Sequence, residues 1–399
     1  MSHRRPQKEG LSSAAALRFV VLIGVLSLFA DLTYEGARGI NGPFLAVLGA
    51  SGAAVGFISG LGELLGYGIR FLSGYVSSRT GRYWLMTGIG YVVNLLAVPL
   101  LALAGSWQLA AVLIIMERIG KGLRNPPRDA MLSHAGTVIG QGWAFALREA
   151  LDQIGAMAGP LAVAGILYVK GSYHTAFAFL ALPALISLIV LMTARLQYPN
   201  PHELERVAET TPPQPQRLPR SFWVYLSAMS LVAIGYADFN IISYHLTHVI
   251  PPSAIPIFYA VAMATAGGSA LIFGRWYDRS GMPVLTLAIA LSAFFAPLSF
   301  LGGWVAAAAG VILWGIGMGI QDSLMSAPVA TMISPERRAY AYGVFNAVYG
   351  VAWFGGSWLL GVLYDTSIVA LVAFSVVVQL VAIPVLLLTK KRGGNGSSS

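Results

Sequence analysis

The chain has 399 residues, of which 56% are hydrophobic and only 10% charged, against roughly 25% charged in ordinary soluble domains. No soluble core could hide that much apolar surface, so the lipid bilayer is the expected solvent. The net charge of +9 is spread over loops and not gathered on one face, which argues against a nucleic-acid partner, and the absence of cysteine excludes disulfides, thiolate metal sites and cysteine nucleophiles.

Apolar runs of about 20 residues, enough to cross a hydrocarbon core of about 30 Å, recur down the whole chain. The alternating pattern of a membrane barrel is absent, so helices are left to satisfy the backbone. Arg4, Arg5 and Lys8 before the apolar run 14–30 resemble a signal peptide, but no small-residue cleavage site follows. The run is read as the first span, uncleaved. Gly, Pro and charged breaks then set spans at 16–48, 54–76, 83–104, 107–124, 142–169 and 174–194. A second set follows at 221–249, 255–276, 283–302, 304–326, 339–364 and 367–389.

The expected fold is all-α, a polytopic membrane protein of twelve transmembrane helices in two pseudo-symmetric six-helix bundles, residues 1–194 and 221–392. Between them the proline-rich stretch 195–220 reads as a mobile cytoplasmic linker, and 393–399 as a flexible tail. Arg79, Arg82, Lys121, Arg124, Arg128, Arg195, Arg275, Arg279 and Arg337 fall on one side of this arrangement, Lys170 alone on the other. Because cytoplasmic loops collect Lys and Arg, both termini are expected in the cytoplasm, the chain lying in the cell (inner) membrane.

An internal repeat supports the division. After span two stands Gly74-Tyr75-Val76-Ser77-Ser78-Arg79-Thr80-Gly81-Arg82, and after span eight Gly274-Arg275-Trp276-Tyr277-Asp278-Arg279-Ser280-Gly281. Phe29-Ala30-Asp31 in span one is echoed by Tyr236-Ala237-Asp238 in span seven, and Gly165 to Tyr168 by Gly361 to Tyr364. The loop after span two resembles the signature motif of the major facilitator superfamily: glycine, an acidic residue four on, then arginine and glycine. The resemblance covers nearly the whole chain and implies a secondary transporter working by alternating access. It also implies a cytoplasmic gate at Gly74, Arg79, Gly81, Arg82, Gly274, Asp278 and Arg279, although Ser78 replaces the acid in the first copy.

Ionisable groups inside a bilayer cost at least a few kcal/mol each, so they face a cavity, find partners and mark function. Asp31, Glu35 and Arg38 share a face of span one, with Tyr34 between them, and Asp31 lies about 21 Å along that helix at 1.5 Å per residue. Glu63, Tyr67 and Arg70 follow in span two, Glu117, Arg118 and Lys121 in span four, and Arg148, Glu149 and Asp152 in span five. Arg70, Lys121 and Arg124, near cytoplasmic helix ends, are expected to snorkel. A carboxylate in an apolar cavity holds its proton, and an approaching guanidinium makes it give the proton up. Proton coupling is therefore assigned to Asp31, Glu35, Arg38, Arg118, Glu149 and Asp152. Arg118 with Gly120 and Gly122 resembles the span-four arginine motif of proton-coupled exporters. Gly155 to Pro160 is similar to the span-five motif of antiporters, though small-residue packing would also explain those glycines.

The substrate cavity is expected to use Tyr34, Glu63 and Arg148 on one wall, and Tyr236, Asp238, Tyr244, His245, Asp322 and Asn346 on the other, an aromatic and sparsely charged wall that includes Trp353. Six carboxylates (Asp31, Glu35, Glu63, Glu117, Glu149, Asp152) against three arginines (Arg38, Arg118, Arg148) lean toward a cationic or zwitterionic solute. Asp238, His245 and His248 offer a divalent ion two imidazoles and a carboxylate. Arg124 to Met131, with Pro126 and Pro127, reads as a proline turn in which Asp129 could latch the cytoplasmic face.

These residues point to proton-coupled export of a small organic or drug-like solute. The alternatives are a symporter or uniporter importing a metabolite, and a divalent-metal exporter. The sequence contains no phosphate loop, zinc-binding His-Glu-x-x-His helix or nucleophile elbow, so no enzyme is expected. Neither a cofactor nor a bound metal is expected. The partners are a small-molecule substrate, protons and the lipid bilayer, and the protein is expected to be a monomer.

Overall fold

The computed structural model describes residues 13–199, 218–325, 327–334 and 337–389. Most of the expected linker and the expected tail lie outside them. The first half comprises α1 (Ser13–Val47), α2 (Gly52–Thr80), α3 (Tyr83–Leu100) with a short 3₁₀ turn, α4 (Trp107–Ile139), α5 (Gln141–Lys170), α6 (Tyr173–Phe179) and α7 (Ala181–Gln197). The second comprises α8 (Arg220–Gly235), α9 (Phe239–Leu246), α10 (Ile255–Ser280), α11 (Met282–Ser292), α12 (Phe295–Leu301), α13 (Trp304–Leu324), α14 (Ala327–Met332), α15 (Arg338–Thr366) and α16 (Ile368–Leu387). Twelve spans result among the described residues, because α6 with α7, α8 with α9 and α11 with α12 each make one crossing and the six-residue α14 makes none.

Eleven of the twelve are long and apolar enough to cross a membrane on composition alone. The twelfth is α4, 33 residues long, whose Glu117, Arg118, Lys121, Arg124 and Arg128 lower its hydropathy. It was expected to end at residue 124 in a proline turn. Instead it runs through Pro126 and Pro127 to Ile139. Pro127 has no N–H for the carbonyl of Leu123, four residues back; the hydroxyl of Ser73 on α2 donates to that carbonyl at 2.5 Å. A side chain from a neighbouring helix thus closes the gap that would otherwise break the span.

Span seven breaks at Tyr236 to Asp238, and the same accounting holds there. The Gly235 carbonyl accepts from Ser375 Oγ at 2.6 Å and Gln379 Nε2 at 3.1 Å. Trp314 Nε1 donates to Ala237 O at 2.9 Å, and the Asp238 carboxylate caps α9 through Asn240 N at 2.9 Å. Both motif copies close their helix on a glycine at positive φ, which L side chains avoid, but they turn differently: Gly81 ends α2 at φ 66° and ψ 7°, the left-handed helical conformation, and Gly281 ends α10 at φ 65° and ψ −140°.

Glycines let the helices approach closely enough to bring charged side chains together. A Cβ on Gly155 would lie 2.2 Å from Leu28 O, and one on Gly159 2.3 Å from Leu32 O, so α5 presses on α1 at the level of Asp31. Gly120 sits as tightly on Asn94, its Cβ position 2.4 Å from the Asn94 nitrogen. Gly120→Ala is expected to cost about 1–3 kcal/mol through overpacking inside the first half, read as a lowered unfolding temperature of the detergent-solubilised protein.

The two halves meet most closely at the end remote from the termini. Gly52, Gly56 and Gly60 of α2 press against Gly361, Ser357 and Phe354 of α15, and Gly42 of α1 against Asn240 of α9. Hydrogen bonds across the halves seal this end. Asp365 on α15 accepts from Gly52 N at 2.7 Å and Ala53 N at 2.8 Å, capping α2, while Tyr244 Oη donates to Ala50 O at 3.0 Å. Asn240 Nδ2 donates to Ser59 Oγ at 2.8 Å. At the terminal end, Arg79, Asp278 and Arg279 are exposed and enter no ion pair among the described residues.

Candidate functional site

A polar cavity of about 230 Å³ lies mainly inside the first half and is closed off by α10 and α13. Glu149, its side chain 54% exposed, stands at the mouth, and Arg38 with Glu63 at the closed end. The expected proton and charge groups of the first half do come together. Asp31, Glu35, Arg38, Glu63, Arg118, Arg148, Glu149 and Asp152 all line this space, with Tyr34 between them.

Their pairing is specific. Arg38 bridges Glu63 at 3.3 Å and, across the halves, Asp238 at 3.5 Å. Arg118 lies 3.4 Å from Glu63 and 3.3 Å from Glu117, and Glu117 also accepts from Asn94 Nδ2 at 2.9 Å. Arg148 reaches Glu149 at 2.6 Å and Asp152 at 3.0 Å. Glu35 is held from both sides, by Lys121 at 3.5 Å and by a hydrogen bond from the Tyr259 hydroxyl of the second half.

Three expectations change. Lys121 and Arg124 do not snorkel to the surface. Both line the cavity and lie over the Tyr34 ring, Lys121 at 4.0 Å and Arg124 at 5.3 Å, with Arg124 also 4.3 Å from the Tyr91 ring. Both stand on α4 ahead of the prolines, on the face that meets Tyr34 of α1. With Arg70 and Arg128, they raise the lining to seven cations (Arg38, Arg70, Arg118, Lys121, Arg124, Arg128, Arg148) against five carboxylates (Asp31, Glu35, Glu63, Glu149, Asp152). The expected excess of carboxylates is thereby reversed.

The aromatic wall is the second change. Tyr236 is buried inside the second half, its hydroxyl on Trp314 O and its ring 5.1 Å from Phe295 and 5.8 Å from Trp353. It packs a core, and the second half meets the charged wall through Met263, Ala266 and Met318 in the cavity, with Tyr259 on Glu35 and Asp238 on Arg38 beside them. Tyr244 and His245 lie at the end remote from the termini, where His245 Nδ1 is 3.1 Å from Tyr364 Oη. Asn346 is exposed on α15, and the side chain of Asp322 is outside the described residues.

Asp129 is the third. It pairs with Arg128 at 2.9 Å and Arg148 at 3.8 Å, so it ties α4 to α5 within one half and does not join the halves. Among the described residues no cluster of three His, Asp or Glu could hold a metal ion, and His248 Nδ1 is 3.3 Å from the backbone oxygen of His245. Of the gate residues, Gly74 packs near Pro126, Arg79 lies over Tyr75 of its own helix, and Gly274 has open space beside it.

Sequence reasoning missed Tyr259, Asp365 and Asn94. Their partners lie 224, 313 and 23 residues away respectively, and no local spacing announces them.

Comparison with known proteins places this geometry in a family. The chain is 40% identical over 376 residues to an uncharacterised protein of Mycobacterium tuberculosis, covering 92% of each. It is 26% identical over 379 residues to an uncharacterised MFS-type transporter of Methanocaldococcus jannaschii, covering 90% of this chain and 92% of that one. The crystal structure of the nucleoside transporter NupG shares the fold at a TM-score of 0.77 and 14% identity, over 92% of this chain and 99% of that one. The family model described as Major Facilitator Superfamily matches residues 22–357; the chain belongs to that superfamily and is a multi-pass membrane protein, a secondary transporter.

Proposed function

We propose that this protein moves a small organic solute by rocking its two halves, and that the movement is coupled to protons through Asp31, Glu35 and Asp152. The observation that carries the reading is the double hold on Glu35, between Lys121 of its own half and Tyr259 of the other. A proton on Glu35 removes the charge that both partners favour, so it weakens a contact joining the halves. The distribution of Lys and Arg puts both termini in the cytoplasm of a cell whose plasma membrane holds the protein. The end sealed by Asp365 and Tyr244 then faces outward, and the cavity mouth at Glu149 faces the cytoplasm.

Export in exchange for protons rested on the Gly155 to Pro160 run and on the resemblance of Arg118, Gly120 and Gly122 to an exporter motif, and a cationic solute on the carboxylate excess. The lining holds more cations than carboxylates, and contact with Leu28 and Leu32 accounts for Gly155 and Gly159. Exchange needs proton and solute to compete for one carboxylate. Co-transport needs the proton to free a cation for the solute, which a lining rich in arginine favours. We therefore favour proton-coupled uptake. The cavity, about 230 Å³, is below the roughly 300–1,000 Å³ usual for drug-sized ligands, which suits a small metabolite.

A spin-label pair at Thr80→Cys and Ser280→Cys tests the coupling without knowledge of the solute. Both positions are exposed at the terminal ends of α2 and α10, and the chain has no cysteine of its own. As pH falls from 8 to 4 the contact through Glu35 begins to loosen and a shorter label spacing gains population. Glu35→Gln is expected to show that shorter spacing at both pH values. A spacing indifferent to pH in the unmodified protein would end the proposal.

A further inference from the structure

We propose that Arg124, with Lys121 beside it, is the docking point for an anionic group of the transported solute, a carboxylate or a phosphate, and that Asp31 occupies its place in the solute-free protein. This rests on the transport reading above and adds the charge of the solute to it.

Arg124 is wholly buried, yet two of its nitrogens, Nε and Nη1, have no hydrogen-bond partner. The nearest carboxylate oxygen, on Asp31, is 3.9 Å from Nη2, beyond hydrogen-bond range. Arg38, Arg118, Arg128 and Arg148 each have a carboxylate within 3.3 Å; half-buried Arg70, over the Tyr67 ring, has none, but among the described fully buried arginines of the cluster Arg124 alone lacks one. Buried guanidinium groups are ordinarily satisfied, and their planar fork matches a carboxylate or phosphate through two parallel bonds. The rings of Tyr91 and Tyr34 hold the cation in place but offer no acceptor in the plane of the fork.

Proton and anion are linked through Asp31. That carboxylate is faced by Tyr34 and Glu35 on its own helix, by Lys121, Arg124 and Arg128 from α4, and by Arg148 and Asp152 from α5; α10 and α13 bring Met263, Ala266 and Met318 to the lining, and α10 brings Tyr259 to Glu35. A proton on Asp31 cancels the carboxylate charge nearest Arg124 and leaves that buried cation with only the more distant Asp152, itself paired with Arg148. An anion arriving at Arg124 restores the near counter-charge, and each event makes the other more favourable by the same factor. The arrangement therefore loads proton and anion together.

The test uses the full chain in phosphatidylcholine nanodiscs and follows thermal unfolding in sodium phosphate, succinate or acetate, with sodium chloride and choline chloride at matched ionic strength as controls, at pH 5.5 and 8. At least one of the three anions is expected to raise the unfolding temperature, with an apparent affinity about tenfold higher at pH 5.5. Choline should do nothing, and phosphate against succinate separates the two anionic groups. Arg124→Lys should weaken the effect and Arg124→Gln remove it, while Asp31→Asn should bind the anion equally well at both pH values. Stabilisation by choline alone, no effect of any anion, or an anion effect that survives Arg124→Gln would overturn the proposal. Should Arg124→Gln fail to fold, Asp31→Asn decides, because retained pH dependence in that variant refutes the linkage. An anion effect of the expected pattern in protein whose label spacing ignores pH would sink the proton coupling and keep the site; a pH-responsive spacing without an anion effect would do the reverse.

Discussion

Gly56→Ala is expected to slow transport by roughly 5- to 150-fold while leaving each half folded. A methyl group at this position would lie 2.2 Å from the carbonyl oxygen of Ser357 and 3.1 Å from the Cα of Gly361, both on α15 of the other half. Backbone cannot yield as a flexible side chain can. The halves, however, can separate, which Asn94 and Gly120 within one half cannot do. An overpacking cost of about 1–3 kcal/mol therefore falls on the state closed at this end, and shifts the balance of states by roughly 5- to 150-fold. With labels at Thr80→Cys and Ser280→Cys, the shorter spacing should dominate at every pH, and the unfolding temperature should fall less than in Gly120→Ala. An unchanged spacing combined with a large loss of stability would show that α2 and α15 form a permanent seam.

Much of this architecture is written in local patterns. The membrane spans follow from apolar length, the two halves from the paired Gly74 and Gly274 motifs, and the first wall of the cavity from the rule that buried charge is functional. Asp31, Glu35 and Arg38 could be placed on one face from spacing alone. The rest depended on contacts between distant residues. The two prolines of α4 read as a stop, and only the Ser73 hydroxyl on Leu123 O shows why the helix continues. With the helix running on, Arg124 and Arg128 are buried lining and not surface anchors, and they tip the balance of charge in the cavity toward cations. The aromatic residues of the second half satisfy any rule for a binding wall, yet Tyr236 finds its partner in Trp314, 78 residues away, and turns inward.

Arg38→Met is expected to produce the largest loss of stability among the charged positions. The guanidinium is buried and joins Glu63 on α2 to Asp238 at the start of α9, so it couples two helices and both halves. Glu63 keeps Arg118 at 3.4 Å after the change. Asp238 keeps the Asn240 N–H at 2.9 Å, and its carboxylate is left as a buried charge with no cation in contact, Arg118 acting on it only from farther off. Removing one partner of a buried pair costs about 3–5 kcal/mol, chiefly through the group left behind. The double variant Arg38→Met with Asp238→Asn should therefore be more stable than Arg38→Met alone, because the amide still accepts from Asn240 and carries no charge. Thermal unfolding of the two singles and the double forms a cycle that isolates the interaction. If the double variant proves less stable than either single, the lone charge is not the source of the loss, and Arg38 acts by filling space between the halves.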